Sequence, residues 1–302
     1  MATVWIVMRQ TLLMFVYMGA GVVLFKKGLI TKEGSRSLAN LLLYLVLPCV
    51  LIKSFCVERT RENITALLVS LGAAAVILLL AIVVSRLLFH ASPIDNFSTS
   101  FSNAGFMGFP LVTAVLGSDA VFYAAGFVAL LNALQWTYGQ VLLSGDRQHA
   151  SPAGVIKNPL VVSLIAGLVL FFTGLPLPGL AQSALQAVAG LNSPLAMIIL
   201  GVYLAQTKFS ELFTQPRLYG VSAVRLVLIP VLTALLLRLL PDSYDTLRTT
   251  LLIVASAPVG SNVAVYAQKL GKDYAYAVRL VCLSTILSIL TMPVLVAVFC
   301  GG

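Results

Sequence analysis

Two stretches of the sequence could hold a ligand inside apolar surroundings. Residues 97–116 read FSTSFSNAGFMGFPLVTAVL, with Asn103, Gly105, Gly108 and Pro110 amid an apolar run. Residues 249–266 read TTLLIVASAPVGSNVAVY, with Pro258, Gly260, Ser261 and Asn262 at the centre. Proline lacks an N–H and its ring clashes with the turn before it, and glycine weakens a helix. A break is expected near residues 103–110, and another around Pro258. Each break frees N–H groups at the start of the second half-helix and C=O groups at the end of the first. The new N-terminal ends carry partial positive charge and attract anions. Pro110 and Pro258 suit first-turn positions, where a missing N–H costs little. Asn103, Ser261 and Asn262 are placed either to satisfy the freed groups or to bind the ligand. Taken singly, either stretch reads equally well as a plain proline kink. Both together, with Asn beside each, favour a substrate-binding site.

The elements that must position these residues follow from composition. The chain has 302 residues, of which 60% are hydrophobic and 10% charged, with mean hydropathy +1.01. A soluble domain is about 45–50% apolar and about 25% charged. Such a chain needs lipid as solvent, and a spanning helix takes about 20 apolar residues. Apolar runs bounded by charge, Gly or Pro give ten candidate spans, at about 4–25, 36–56, 64–89, 96–117, 120–143, 157–174, 181–205, 218–240, 246–268 and 274–299. The first is too long for the core of a cleaved leader and reads as a span. Lipid offers the backbone no partner, so these spans are helices, and the alternating pattern of a membrane barrel is absent.

The longest polar stretch, SGDRQHASPAGVI at 144–156, separates residues 1–143 from 157–302. Each half holds five spans, and an odd number forces the second to insert upside down. The expected architecture is therefore all-α, with two inverted five-helix repeats and a broken helix fourth in each. Matched Gly/Pro interruptions in two such halves point to the binding site of a secondary transporter. The net charge of +9 does not read as nucleic-acid binding, because the basic residues sit in short loops without interleaved aromatics. Loops holding Lys26, Lys27, Arg86, Lys157, Lys208 and Lys272 are richer in Lys and Arg than the opposite set, with Lys53, Arg59 and Arg248. By the positive-inside rule the first set faces the cytoplasm and both termini lie outside.

Other polar residues admit two readings each. Arg225 is the one clearly internal charge; it either attracts an anion or gates the path, or it snorkels to the interface. Asn132 is either a ligand contact or, like Gln135 and Asn40, an interhelical hydrogen-bonding residue. Pro48 and Pro194 are flex points or ordinary kinks. Every Asp and Glu falls in or near a loop. A cation carried on a buried carboxylate is therefore disfavoured, and an anion held on helix ends and amides fits better. The cysteines read as small apolar residues.

NAGFMGFPLV and SAPVGSNVAVYA resemble the crossover-helix motifs of the auxin efflux carrier family, whose members include plant PIN auxin carriers and bacterial organic-acid permeases. YLVLPCVLIKSF, KNPLVVSLIAG, SPLAMIILGVYLA and VRLVLIP agree, so the resemblance covers nearly the whole chain. It implies ten spans in two inverted repeats, as in bile-acid symporter and sodium/proton antiporter folds. It also implies a scaffold of spans one, two, six and seven that moves against a transport domain holding the crossed helices, and a homodimer. Plant members carry a large loop between spans five and six, and this chain carries a short one.

The expected function is secondary transport of a small organic anion, a carboxylate, across a cell membrane by elevator-like alternating access. No cofactor or metal is expected. An intramembrane enzyme needs paired Asp, a Ser with a base or a metal set; the only histidines, His90 and His149, are in loops. No channel-filter sequence is visible. A carrier for a neutral or cationic solute on the same fold remains the alternative.

Overall fold

A computed structural model describes residues 2–146 and 157–300. Most of the expected connecting loop, from residue 147 to 156, lies outside the described residues. The described residues are helical, with a single isolated β-bridge. In chain order the helices are α1 (Ala2–Lys26), α2 (Lys32–Ser54), α3 (Arg61–Phe89), α4 (Pro93–Ser100), α5 (Ala104–Leu116) and α6 (121–144). The second half gives α7 (Pro159–Thr173), α8 (Gly179–Ala205, interrupted at 190–191), α9 (Pro216–Leu237), α10 (Asp245–Ser256), α11 (Asn262–Lys269) and α12 (Tyr274–Cys300). Among the described residues, α1, α2, α3, α8, α9 and α12 are each long and apolar enough to cross a membrane. Their outward faces carry Leu79 and Leu87 on α3 and Leu290 and Val298 on α12, all exposed. Water would penalise that surface, and lipid does not.

Three prolines inside helices are accommodated in one way. Pro48, Pro110 and Pro230 each follow a π-helical turn, at Leu42–Val46, Ala104–Gly108 and Val224–Leu228. In each case the residue before the proline donates its N–H five residues back: Leu47 to Leu42, Phe109 to Ala104 and Ile229 to Val224. A wider turn displaces the carbonyl that the proline ring would otherwise strike. Pro110 therefore does not break its helix. The break lies at residues 101–103, at the upstream edge of the 103–110 window that the proline and glycines indicated.

Packing divides the helices into two groups. α1 lies along α8, and α7 lies along α2. The first contact depends on Gly21 and Gly201: a Cβ at Gly21 would overlap Ile198 O, and one at Gly201 would overlap Met18 O. Only glycine lets these backbones approach. The second group centres on α10, whose residues from Thr249 to Ser256 are all buried among α3, α5, α6, α9 and α12.

Gly201→Val is expected to force α1 from α8 at a cost of roughly 3 kcal/mol. Gly19→Val, with open space around its Cβ, is expected to be near neutral. Thermal unfolding of the two purified variants in one detergent makes the comparison.

Candidate functional site

The two interrupted segments cross. α4 ends at Ser100 and α5 begins at Ala104; α10 ends at Ser256 and α11 begins at Asn262. Between them the chain leaves the helical path, and Ser102 pairs with Val259 in an antiparallel bridge. The Asn103 N–H donates to Pro258 O at 2.8 Å, and the Gly260 N–H to Phe101 O at 3.0 Å. Gly260 is needed for this approach, because a Cβ there would lie 3.1 Å from Ser102 O and 3.2 Å from Phe101 O. Side chains complete the pairing: Ser102 Oγ donates to Val254 O at 2.9 Å, and Ser284 Oγ accepts the Val259 N–H at 3.1 Å. Some of the backbone groups that lipid would leave bare are thus paired between the two breaks.

The two kinds of helix end at the crossing meet different partners. Arg225 of α9 is buried. It donates to Thr99 O at 3.0 Å and to Ala255 O. Those carbonyls belong to the last turns of α4 and α10, the negative ends of both dipoles. Arg225 therefore does not snorkel; it donates to two converging helix C-termini.

At the opposite ends, α5 and α11 start beside a small cavity. It is lined by Ser102, Asn103, Gly105, Asn132, Gln135, Gly260, Ser261 and Asn262, among others. The N–H groups of Ala104, Gly105, Ser261 and Asn262 make no hydrogen bond among the described residues. Asn103 is 5% exposed, and its Nδ2 has no partner. Asn262 Nδ2 donates to Gln135 Oε1 at 2.7 Å, while Asn132 Nδ2 donates to Val128 O in its own helix at 2.8 Å. The cavity holds about 20 Å³, room for about one water.

Six of the residues singled out from the sequence therefore meet here: Asn103, Gly105, Asn132, Gly260, Ser261 and Asn262. Three do not. Gly108 packs on Val254, where a Cβ would sit 3.0 Å from Val254 Cγ1. Pro258 lies within the crossing rather than in a first helical turn, and contributes its carbonyl. Pro110 lines a separate, open cavity of about 690 Å³ that also touches Lys53, Asp119 and Gln186. Asn192 stands between the two cavities: it lines the large one and donates through Nδ2 to Gly105 O at 3.0 Å. Asn192 and Ser284 were not singled out from the sequence. Position two residues before Pro194 is the one local signal for Asn192; Ser284 has none.

The carboxylates also depart from expectation in one place. Asp95 lies beside a loop, yet it is 1% exposed. Its Oδ2 accepts from Arg217 Nε at 2.6 Å and its Oδ1 from the Tyr276 hydroxyl at 2.7 Å. This pairing ties the start of α4 to α9 and α12, away from the crossing.

The model of a family described as membrane transport protein matches residues 6–296. A protein of Rhizobium meliloti (strain 1021) named "Putative malonate transporter" is 27% identical over 289 residues, covering 89% of this chain and 88% of that protein. An "Uncharacterized transporter" of Methanothermobacter thermautotrophicus is 28% identical over 200 residues, covering 65% of this chain and 64% of that one.

Arg225→Met is expected to leave both helix ends without a donor and to cost about 2–4 kcal/mol of stability. Arg225→Lys, which keeps the charge but not the fork, is expected to fall between. Chemical unfolding in detergent measures both; an Arg225→Met protein as stable as the parent would show that those ends need no cation.

Proposed function

The chain belongs to the membrane transport protein family, the auxin efflux carrier family, and on that premise we propose that it is a secondary carrier of small organic anions. The observation that carries the reading is the crossing. The N-terminal ends of α5 and α11, with unused N–H groups and the unpartnered Asn103 amide, face one cavity. Such a set donates hydrogen bonds and carries partial positive charge, which suits a carboxylate. Asn103, Gly105, Asn132, Gly260, Ser261 and Asn262 form the binding site in this reading. Gly108, Pro110 and Pro258 shape it. The malonate named for the Rhizobium relative supports a small dicarboxylate as the substrate class.

The cavity at the crossing is too small for such an acid. The large cavity beside it is not, and the Asn192–Gly105 hydrogen bond divides them. Binding therefore requires that α8 and α5 part. The proposed architecture is ten spans in inverted repeats, 1–143 and 157–302, joined by 144–156. Paired contacts support it: α1 on α8 and α7 on α2 exchange under such a repeat, as do α3 on α4 and α9 on α10. In the proposed cycle the α1–α2–α7–α8 group stays in place while the crossed helices slide past it with the anion. The Lys/Arg-rich loops lie in the cytoplasm and both termini outside.

Flux of radiolabelled malonate and succinate into proteoliposomes tests the proposal. Saturable uptake is expected, reduced about tenfold or more by Asn103→Ala and by Asn262→Ala, since a lost hydrogen bond to a charged group is worth roughly 1.5–3 kcal/mol. Absence of saturable flux for every carboxylate tried, or full activity in both variants, would reject it.

A further inference from the structure

A third cavity, of about 310 Å³, opens on the Lys/Arg-rich face between α2, α8, α11 and the start of α12. That size is within the ordinary range for small-molecule sites. Lys32, Arg36 and Asn40 enter it from α2, Lys269 from α11, and Tyr203 and Tyr274 from the far wall. No Asp or Glu lines it, and none pairs with Lys32, Arg36 or Lys269 among the described residues. Lys32 instead lies 5.2 Å from the centre of the Tyr274 ring. Basic residues at helix ends ordinarily set orientation and point into water. These three converge on one concavity, where low-dielectric walls concentrate their field.

The cavity is also connected to the crossing by sequence spacing. Lys32, Arg36 and Asn40 recur every four residues, and Leu43 and Leu47 continue the same face of α2 into the cavity at the crossing. On α11, Lys269 and Val265 line the basic cavity, while Asn262 and Ser261 line the other. Seven residues of helix separate Lys269 from Asn262, roughly 10 Å.

We infer that this cavity is a docking site for a dianion, which Arg36 and Lys269 hold before it passes along α2 and α11 to the amides at the crossing. The inference rests on the anion-carrier reading and deepens it. A monoanion would leave two of the three positive charges uncompensated; a dianion leaves one. The site therefore favours a dicarboxylate over a monocarboxylate of equal length, and does so before the crossing is reached.

Equilibrium binding of radiolabelled succinate and butyrate to the full chain in nanodiscs separates charge from size. Arg36→Gln, Lys269→Gln and Lys32→Gln each replace an exposed side chain and leave the crossing intact. Arg36→Gln and Lys269→Gln are expected to weaken succinate binding about tenfold and butyrate binding less than about threefold. Lys32→Gln is expected to do so less, and Arg36→Lys to bind like the parent. Parent-like succinate binding in both Gln variants overturns the inference, and so does a parent protein that binds butyrate as tightly as succinate or binds neither. Succinate flux into proteoliposomes then separates the two readings. Saturable flux unchanged in the Gln variants removes the dock and keeps the carrier. Charge-dependent binding without saturable flux removes the carrier and keeps the dock.

Discussion

The structure depends on two breaks in two helices supplying each other's hydrogen bonds. Residues 101–103 and 257–261 leave the helical path amid apolar helices, where lipid offers no donor or acceptor. Each break alone would expose several backbone groups, at a cost of roughly 1–3 kcal/mol apiece. Crossed, they pair through Asn103 to Pro258 and Gly260 to Phe101. The bridge fixes where the four half-helix ends lie, and those ends set the electrostatics. Two C-termini converge on Arg225, and two N-termini converge on the cavity with Asn103 and Asn262. One short antiparallel contact thus turns two helices into a centre with a positive and a negative side.

A buried guanidinium is costly unless its surroundings replace its hydration. Here two carbonyls at helix C-termini do so for Nη1 and Nη2, while Nε has no partner among the described residues, so the two liabilities cancel only in part. The same economy explains why the crossing tolerates a polar cavity: Gln135 and Asn262 satisfy one another, and Asn103 is left over. By contrast, α1 against α8 is held by glycines and close backbone approach, with little polar content. The contact between Asn192 of α8 and Gly105 of α5 is one of few polar links from that group to the crossing. A boundary with few hydrogen bonds and much apolar surface can slide without leaving groups unpaired, which is what the proposed cycle demands.

Much of this was legible in the sequence, and the rest was hidden for identifiable reasons. Long apolar runs fixed the helices to within a few residues, because lipid permits almost nothing else. The matched Pro and Gly marked which helices are interrupted. They set the first break slightly too far along, since a π-helical turn absorbs Pro110 and the helix is interrupted at Phe101, Ser102 and Asn103, of which only Asn103 fell in the expected window. The partner segment at Val259 holds them off the helical path. Arg225 was visible as an internal charge, but its acceptors lie 126 and 30 residues away in the chain. Asp95 looked like a loop residue because its cover, from Arg217 and Tyr276, comes from α9 and α12. Local chemistry showed in the sequence; pairings between distant segments did not.

The fixed charge at Arg225 also bears on the sign of the proposed cargo. In carriers built on broken helices, C-terminal carbonyls and unwound backbone are the groups that coordinate a cation, while N-terminal ends receive an anion. Here Thr99 O and Ala255 O, one from each C-terminus, already accept from a guanidinium. A metal ion would have to displace a tethered cation from them. The N-terminal side has no such tenant among the described residues: the N–H groups of Ala104, Gly105, Ser261 and Asn262 and the Asn103 amide have no acceptor there. Its neighbours Ser102, Asn132, Gln135, Ser261 and Asn262 are neutral. The two C-terminal carbonyls are therefore already engaged by a cation, which is what the anion-carrier proposal requires of their side. That cation comes from one side chain in α9, outside both broken segments.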